Sequence, residues 1–175
     1  MQLKKSKTMA EINQVQDTRR VFIDTLIELA EKDDKIVLIV PDVGFNYIEK
    51  FKEKFPDRFF NFGVTEQSVI LIASAMALHG FKPYVYSMIN FVLFRPYEMV
   101  RNGIVHHNAN VKLLGVKGSS SYKFLGFSHN MIHEREDVEA CEALQLDCYV
   151  PQDVDEVRKV IINTYENEKA AYVRL

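Results

Sequence analysis

Between Thr18 and Lys32 the apolar residues Val21, Phe22, Leu26, Leu29 and Ala30 recur at the spacing of one helix face, with Asp17 or Thr18 placed to cap the first turn. Ile36-Val-Leu-Ile-Val40 is apolar at every position and ends at Pro41-Asp42. Such a run suits a strand covered on both faces, since a half-exposed strand alternates apolar with polar. The alternation of elements then repeats. Phe59 to Phe62 reads as a strand, Glu66 to His79 as a helix, Lys82 to Tyr86 as a strand, and Asn90 to His107 as a helix carrying Pro96 in an early turn. Val111 to Val116 predicts another strand, Lys117 to Ile132 an irregular stretch, Glu134 to Leu144 a short helix and Cys148 to Val150 a strand, with a turn at Pro151-Gln152. Asp153 and Glu156 stand at capping-box spacing and open a helix to about Asn167, and Ala171 to Leu175 reads as a last strand.

Strands alternating with helices predict the α/β class, a mostly parallel sheet of about six strands with helices on both faces. Ligands of such sheets bind beyond the carboxyl ends of the strands, which directs attention to the loops starting at Pro41, Gly63, Ser87 and Lys117. Residues 1–16 are polar and aperiodic and read as a flexible leader, so the domain is expected over 17–175.

At 175 residues and 47% hydrophobic, the chain can build a core without disulfides or structural metals. Its net charge of −2 gives none of the basic footprint of a nucleic-acid binder. Cys141 and Cys148 match neither metal-ligand nor redox spacing and read as thiols of a reducing compartment. The basic start is followed by Ala10-Glu-Ile-Asn-Gln-Val-Gln-Asp17 instead of an apolar signal region, and no segment approaches about 20 apolar residues. A soluble, cytoplasmic protein is expected. Neither a dinucleotide fingerprint nor a Walker phosphate loop occurs.

Three segments carry candidate chemistry. Asn61-Phe-Gly-Val-Thr-Glu-Gln67 puts Glu66 at a helix start, where a carboxylate more often just complements the helix dipole. Met88, Phe91 and Phe94 recur at intervals of three, a spacing that usually marks core. His129, in Gly126-Phe-Ser-His-Asn130, is the type of loop residue that can act as acid, base or hydrogen-bond donor, although most such histidines are simply solvated. His129 and His133 stand four apart but outside the zinc-peptidase order, so no metal site is expected.

In order along the chain, Arg58-Phe-Phe-Asn-Phe-Gly-Val-Thr-Glu-Gln67, Gly80-Phe-Lys-Pro-Tyr84, Asn90-Phe91 with Phe94 and Arg101, Gly126-Phe-Ser-His129 and Val150-Pro-Gln-Asp153 resemble the pyrimidine-binding domain of transketolase and its thiamine-diphosphate relatives. The resemblance spans about residues 18 to 175. It implies that Glu66 is the catalytic glutamate, hydrogen-bonded to a ring nitrogen of the cofactor's aminopyrimidine. It also implies that Phe91 and Phe94 wall the pyrimidine pocket, with Met88 where another aromatic often stands, and that Asp42 lies near the cofactor at a subunit interface. His129 would contact the sugar substrate, and Arg19 would bind the acceptor's phosphate. Leu125 departs from the family, which usually carries an Asp there that selects acceptor stereochemistry, and Lys117 stands near a position where a histidine is usual. The Gly-Asp-Gly sequence that holds Mg2+ (or Ca2+) and the cofactor's diphosphate in the family does not occur.

The resemblance therefore implies the small subunit of a split transketolase, completed by a pyrophosphate-binding partner subunit in an α2β2 heterotetramer and acting on sugars or sugar phosphates. Two alternatives stay open. One is the β-type subunit of a 2-oxoacid dehydrogenase or decarboxylase, which would release carbon dioxide; the other is a non-catalytic scaffold domain of the same type.

Overall fold

All five residues of strand β1, Ile36–Val40, are buried. The computed structural model describes residues 17–118 and 120–175, so the leader expected over 1–16 lies outside the described residues. Six strands form one parallel sheet in the order β2-β1-β3-β4-β6-β5: β2 is Phe59–Asn61, β3 Lys82–Met88, β4 Lys112–Val116, β5 Asp147–Tyr149 and β6 Ala171–Arg174. The register aligns Leu38 with Tyr84 and Val85 with Leu113 across the centre. The two edge strands have three residues each, which leaves little unpaired ladder exposed.

Successive strand side chains point to opposite faces, and β1 shows what that does. Ile36, Leu38 and Val40 join Phe22, Leu26, Val157 and Ile161 in one core layer, beneath helices α1 (Thr18–Ala30) and α6 (Val154–Asn167). Val37 and Ile39 join Ile70, Val92, Ile104 and Cys141 in the other layer. That second layer is covered by α3 (Glu66–Leu78), α4 (residues 90–105) and α5 (Glu136–Leu144). The mostly parallel α/β sandwich expected from the pattern is present, and its sheet is parallel throughout.

Local departures have local causes. Helix α2, Glu49–Lys54, was not expected, because Phe51 is its one buried residue and a single anchor makes no period. In α4 two wide turns, Asn90–Phe94 and Val100–Val105, flank the α-helical Tyr97–Met99. Pro96 has no amide hydrogen to continue the regular ladder, and the Arg95 amide instead donates to the Asn90 carbonyl five residues back, at 2.8 Å. The expected irregular stretch includes tight helical turns over Ser120–Ser128, broken at Gly126 with φ 62°. Asp17 caps α1, accepting from the Arg19 amide at 3.0 Å. Asp153 caps α6 by accepting from the Glu156 amide at 2.8 Å, while the Glu156 carboxylate accepts from Gln152, one residue earlier than a full capping box would have it. No helix of the described residues is long and apolar enough to cross a membrane.

Candidate active site

The carboxyl ends of β1, β2 and β4 open into the loops starting at Pro41, Phe62 and Lys117, whereas β3 passes from Met88 straight into the helical turn at Ile89, where a loop from Ser87 was expected. Asn61, ending β2, ties two of the loops together: its side-chain oxygen accepts from the amides of Asp42 and Gly63, each at 3.0 Å. Its amide donates to the Asp42 carboxylate at 3.2 Å. Gly44 has φ 95° and lies so close to Tyr86 that a Cβ would sit 2.8 Å from the ring, so the loop after β1 is pressed onto β3. Between these loops lies a cavity of about 700 Å³, lined by Arg19, Asp42, Met88, Phe91, Lys117 and His129 among others.

His129 is positioned from two sides. Its ring meets the Phe91 ring edge-on with centroids 4.9 Å apart, and its Nδ1 is 2.8 Å from the Ser128 hydroxyl oxygen. With the Ser128 hydroxyl hydrogen donated to the Leu125 carbonyl at 2.8 Å, the tautomer that fits is the one in which Nδ1–H donates to Ser128 and Nε2 accepts. The Asn90 amide donates to the Phe127 carbonyl at 2.9 Å and fixes this loop to α4.

Glu66 is the first residue of α3 and is buried, with its side chain only 7% exposed. Thr65 does not cap the helix; its hydroxyl donates back to the Phe62 carbonyl. One Glu66 oxygen accepts from Arg95 Nη1 at 2.6 Å, and the same guanidinium lies over the Phe91 ring at 4.3 Å. Arg95 thus links the buried carboxylate to the aromatic wall of the cavity.

Arg19 is held inside the chain. Its Nε and Nη2 donate to the two oxygens of Asp17 at 2.9 and 2.7 Å, and its plane lies 4.1 Å over the Tyr47 ring. Tyr47 OH donates to Asp17 at 2.6 Å. Burial by itself would raise the Asp17 pKa, but the hydrogen bonds from Arg19 and Tyr47 outweigh it and bring it down to about 2. Lys117 Nζ contacts both oxygens of Glu134 at 2.6 Å.

Of the residues singled out in the sequence, Asp42, Met88, Phe91, His129 and Arg19 line the one cavity. Glu66 connects to it through Arg95 and Phe91. Phe94 does not line it and packs, half-buried, against the core layer beneath α3 and α4. Leu125 is also outside the lining. Arg95, Tyr47 and the pairing role of Asp17 were missed. Arg95 follows Phe91 by four residues on a helical run, a spacing at which side chains meet, so a signal for it was present.

A buried carboxylate at a helix start, an aromatic wall and a loop histidine, all beyond the carboxyl ends of a parallel sheet, stand where α/β domains bind their ligands. The chain belongs to the family described as transketolase, pyrimidine binding domain, which it matches over residues 14–175. It is 30% identical over 158 residues to one subunit of the apulose-4-phosphate transketolase of Phocaeicola vulgatus, covering 90% of this chain and 50% of that protein. It is 26% identical over 159 residues to a 6-deoxy-6-sulfo-D-fructose transketolase subunit of a Clostridium species, covering 90% and 48%. A solved structure described as a split gene transketolase, inactive beta4 tetramer, superposes with a TM-score of 0.79 at 29% identity, covering 90% of this chain and 50% of that one. The chain therefore spans about half the length of these relatives. Membership of the family implies thiamine diphosphate as the cofactor.

The residues present fit the pyrimidine half of that cofactor. A flat, nitrogen-bearing ring needs a hydrogen-bonding carboxyl and an aromatic face, and the Arg95 guanidinium, itself flat and nitrogen-bearing, uses both on Glu66 and Phe91. Among the described residues no group of three or more His, Cys, Asp or Glu side chains is placed to hold a metal ion.

Proposed function

We propose that this chain is the pyrimidine-binding subunit of a split, thiamine-diphosphate-dependent transketolase that transfers a two-carbon ketol unit between sugars. The observation that carries the reading is Glu66, buried at the start of α3 and joined through Arg95 to the Phe91 wall. When bound, thiamine diphosphate supplies the carbon nucleophile of ketol transfer. Glu66 holds and exchanges one proton at its carboxyl oxygen with the nearest pyrimidine nitrogen, which is general acid–base work. Phe91 and Met88 wall the ring and exclude water from that exchange, while Phe94 backs α4 from the core. Asp42 stands at the mouth of the cavity. His129 offers Nε2 to a substrate hydroxyl, held in that tautomer by Ser128, and Arg19 faces the acceptor. A partner subunit holds Mg2+ (or Ca2+) and the diphosphate, in an α2β2 assembly. Relatives named for apulose-4-phosphate and for 6-deoxy-6-sulfo-D-fructose support sugars as the substrate class.

The test is Glu66→Gln in the assembled enzyme. The amide keeps the size and a hydrogen bond but cannot exchange the proton, so kcat falls by about 10²- to 10⁴-fold while folding and assembly are retained. Exchange of deuterium at the cofactor's thiazolium carbon slows in parallel. A variant that assembles and turns over at the wild-type rate removes Glu66 from the chemistry and the proposal with it. Release of carbon dioxide from a 2-oxoacid, in place of ketol transfer, assigns the chain to the decarboxylating branch instead.

A further inference from the structure

The cavity presents its positive charge already neutralised. Among the described residues that line it, the Lys and Arg side chains are Arg19 and Lys117, and each carries a carboxylate partner. The Arg19 pair is the more closely built. Arginine recognises a phosphate best through two parallel N–H donors on one edge of its guanidinium. Here such an edge, Nε and Nη2, is spent on Asp17, and one face of the plane is covered by Tyr47. Tyr47 OH also donates to Asp17, so the carboxylate is anchored independently of Arg19. Asp17 cannot easily swing aside, because it is also the N-cap of α1. Asp42 adds a second carboxylate to the lining.

We propose that Asp17 is a specificity-determining residue: it holds Arg19 as a neutral pair, so the acceptor end that reaches this cavity is an uncharged polyol or deoxygenated carbon and not a phosphate ester. The proposal rests on the assignment of the cavity to the acceptor sugar made above. It runs against the phosphate-binding role that resemblance alone gives Arg19, and the cause is one residue two positions upstream. An uncharged hydroxyl can still use the remaining Arg19 donors without breaking the pair. A dianion is left the end-on Nη1 and Nη2 donors and meets the Asp17 charge at close range there.

Asp17→Asn separates charge from architecture, because Asn is an equally good N-cap and leaves α1 intact. Asp17→Ser, also a capping residue, is the second variant, since its short side chain cannot bridge Arg19. In the first arm, the Arg19 Nε–H resonance of the chain itself is followed by nuclear magnetic resonance as inorganic phosphate is added at neutral pH. The wild type is expected to show no saturable shift, and both variants a saturable one. In the second arm, the assembled enzyme is given matched acceptors that differ only in a terminal phosphate. The wild type is expected to show no gain from the phosphate, whereas either variant raises the phosphorylated-to-unphosphorylated ratio of kcat/KM by about 10- to 100-fold, the range of one charge-assisted contact. Saturable phosphate binding by the wild type at Arg19, its absence in both variants, or a wild-type enzyme that already prefers the phosphate ester by that margin overturns the proposal. Failure of the assembled enzyme to transfer ketol units to any sugar overturns the proposed function instead, and the phosphate titration still decides whether Asp17 blocks Arg19.

Discussion

Arg95 occupies both features that the cofactor's pyrimidine would use, so Arg95→Ala has opposite effects on the empty and the loaded protein. Its hydrogen bond to Glu66 is charge-assisted and short, at 2.6 Å. A bond of that kind contributes about 1.5–3 kcal/mol when protected from water. The Arg95 side chain is 44% exposed while Glu66 is 7% exposed, so solvent screening brings the value toward about 1 kcal/mol. Stacking of the guanidinium on Phe91 adds about 0.5–1 kcal/mol. Together about 1.5–2 kcal/mol holds Arg95 in place, and a ligand that displaces it binds about 10- to 30-fold more weakly than it otherwise would.

In the ligand-free chain, Arg95→Ala leaves the buried Glu66 carboxylate without its cation. That costs about 1–3 kcal/mol. At about 2–4 °C per kcal/mol for a chain of this size, the melting temperature drops measurably. In the assembled enzyme the displacement is no longer needed, so the variant binds thiamine diphosphate about 10- to 30-fold more tightly by calorimetry. The ratio of the two Kd values shrinks as salt rises, because screening weakens the half-exposed Arg95–Glu66 pair in the wild type alone. The reasoning is refuted if the variant binds the cofactor more weakly than the wild type. That outcome means that Arg95 stays beside the ligand and contributes to holding it.

Asp137 gives a stability prediction away from the site: its fully buried carboxylate accepts from Tyr172 OH at 2.6 Å and from Arg174 Nε at 2.8 Å. Asp137→Asn leaves Arg174 uncompensated, with an expected loss of about 3–5 kcal/mol in urea unfolding. Burial would raise the Asp137 pKa, but the hydrogen bonds from Arg174 and Tyr172 prevail and hold it below its usual value. A carboxyl depressed in the folded state stabilises fully above its unfolded pKa of about 3.9 and loses that contribution as pH falls through the folded value, so the wild type shows an acid-side stability loss that Asp137→Asn flattens. Calorimetry with thiamine diphosphate and Mg2+ is expected to show no tight binding to this chain until its partner subunit is added, and stoichiometric micromolar binding by the chain alone contradicts the split-site reading.

How legible these features were depended on the reach of the interactions that create them. β1 was legible because both of its faces are buried, which makes every residue from Ile36 to Val40 apolar. The caps at Asp17 and Asp153 were legible because a side chain and the amide it satisfies lie two or three residues apart. Helix α2 was not, because Phe51 alone anchors it. Nor were the wide turns of α4, since periodicity registers helicity but not a ladder shifted by one residue.

The candidate site divides along the same line. Glu66, Phe91 and His129 were found by their motifs, whereas the contacts that set their state join residues far apart in sequence: Arg95 with Glu66, Tyr47 with Asp17 and Asn90 with Phe127. Those contacts share a consequence. Glu66, Asp17, Arg19 and Lys117 all find opposite charges within this chain, so the cations at the cavity are neutralised before any ligand arrives and the Asp42 carboxylate is left in excess. An unpaired buried carboxylate at Glu66 would destabilise the ligand-free chain, and Arg95 removes that cost. On the proposed function the same pair is exchanged when the pyrimidine binds, which makes the pyrimidine contact by itself a weak source of affinity. Under the split-transketolase reading, tight binding has to come from the diphosphate and metal contacts of the partner, so Arg95 helps to make loading conditional on assembly.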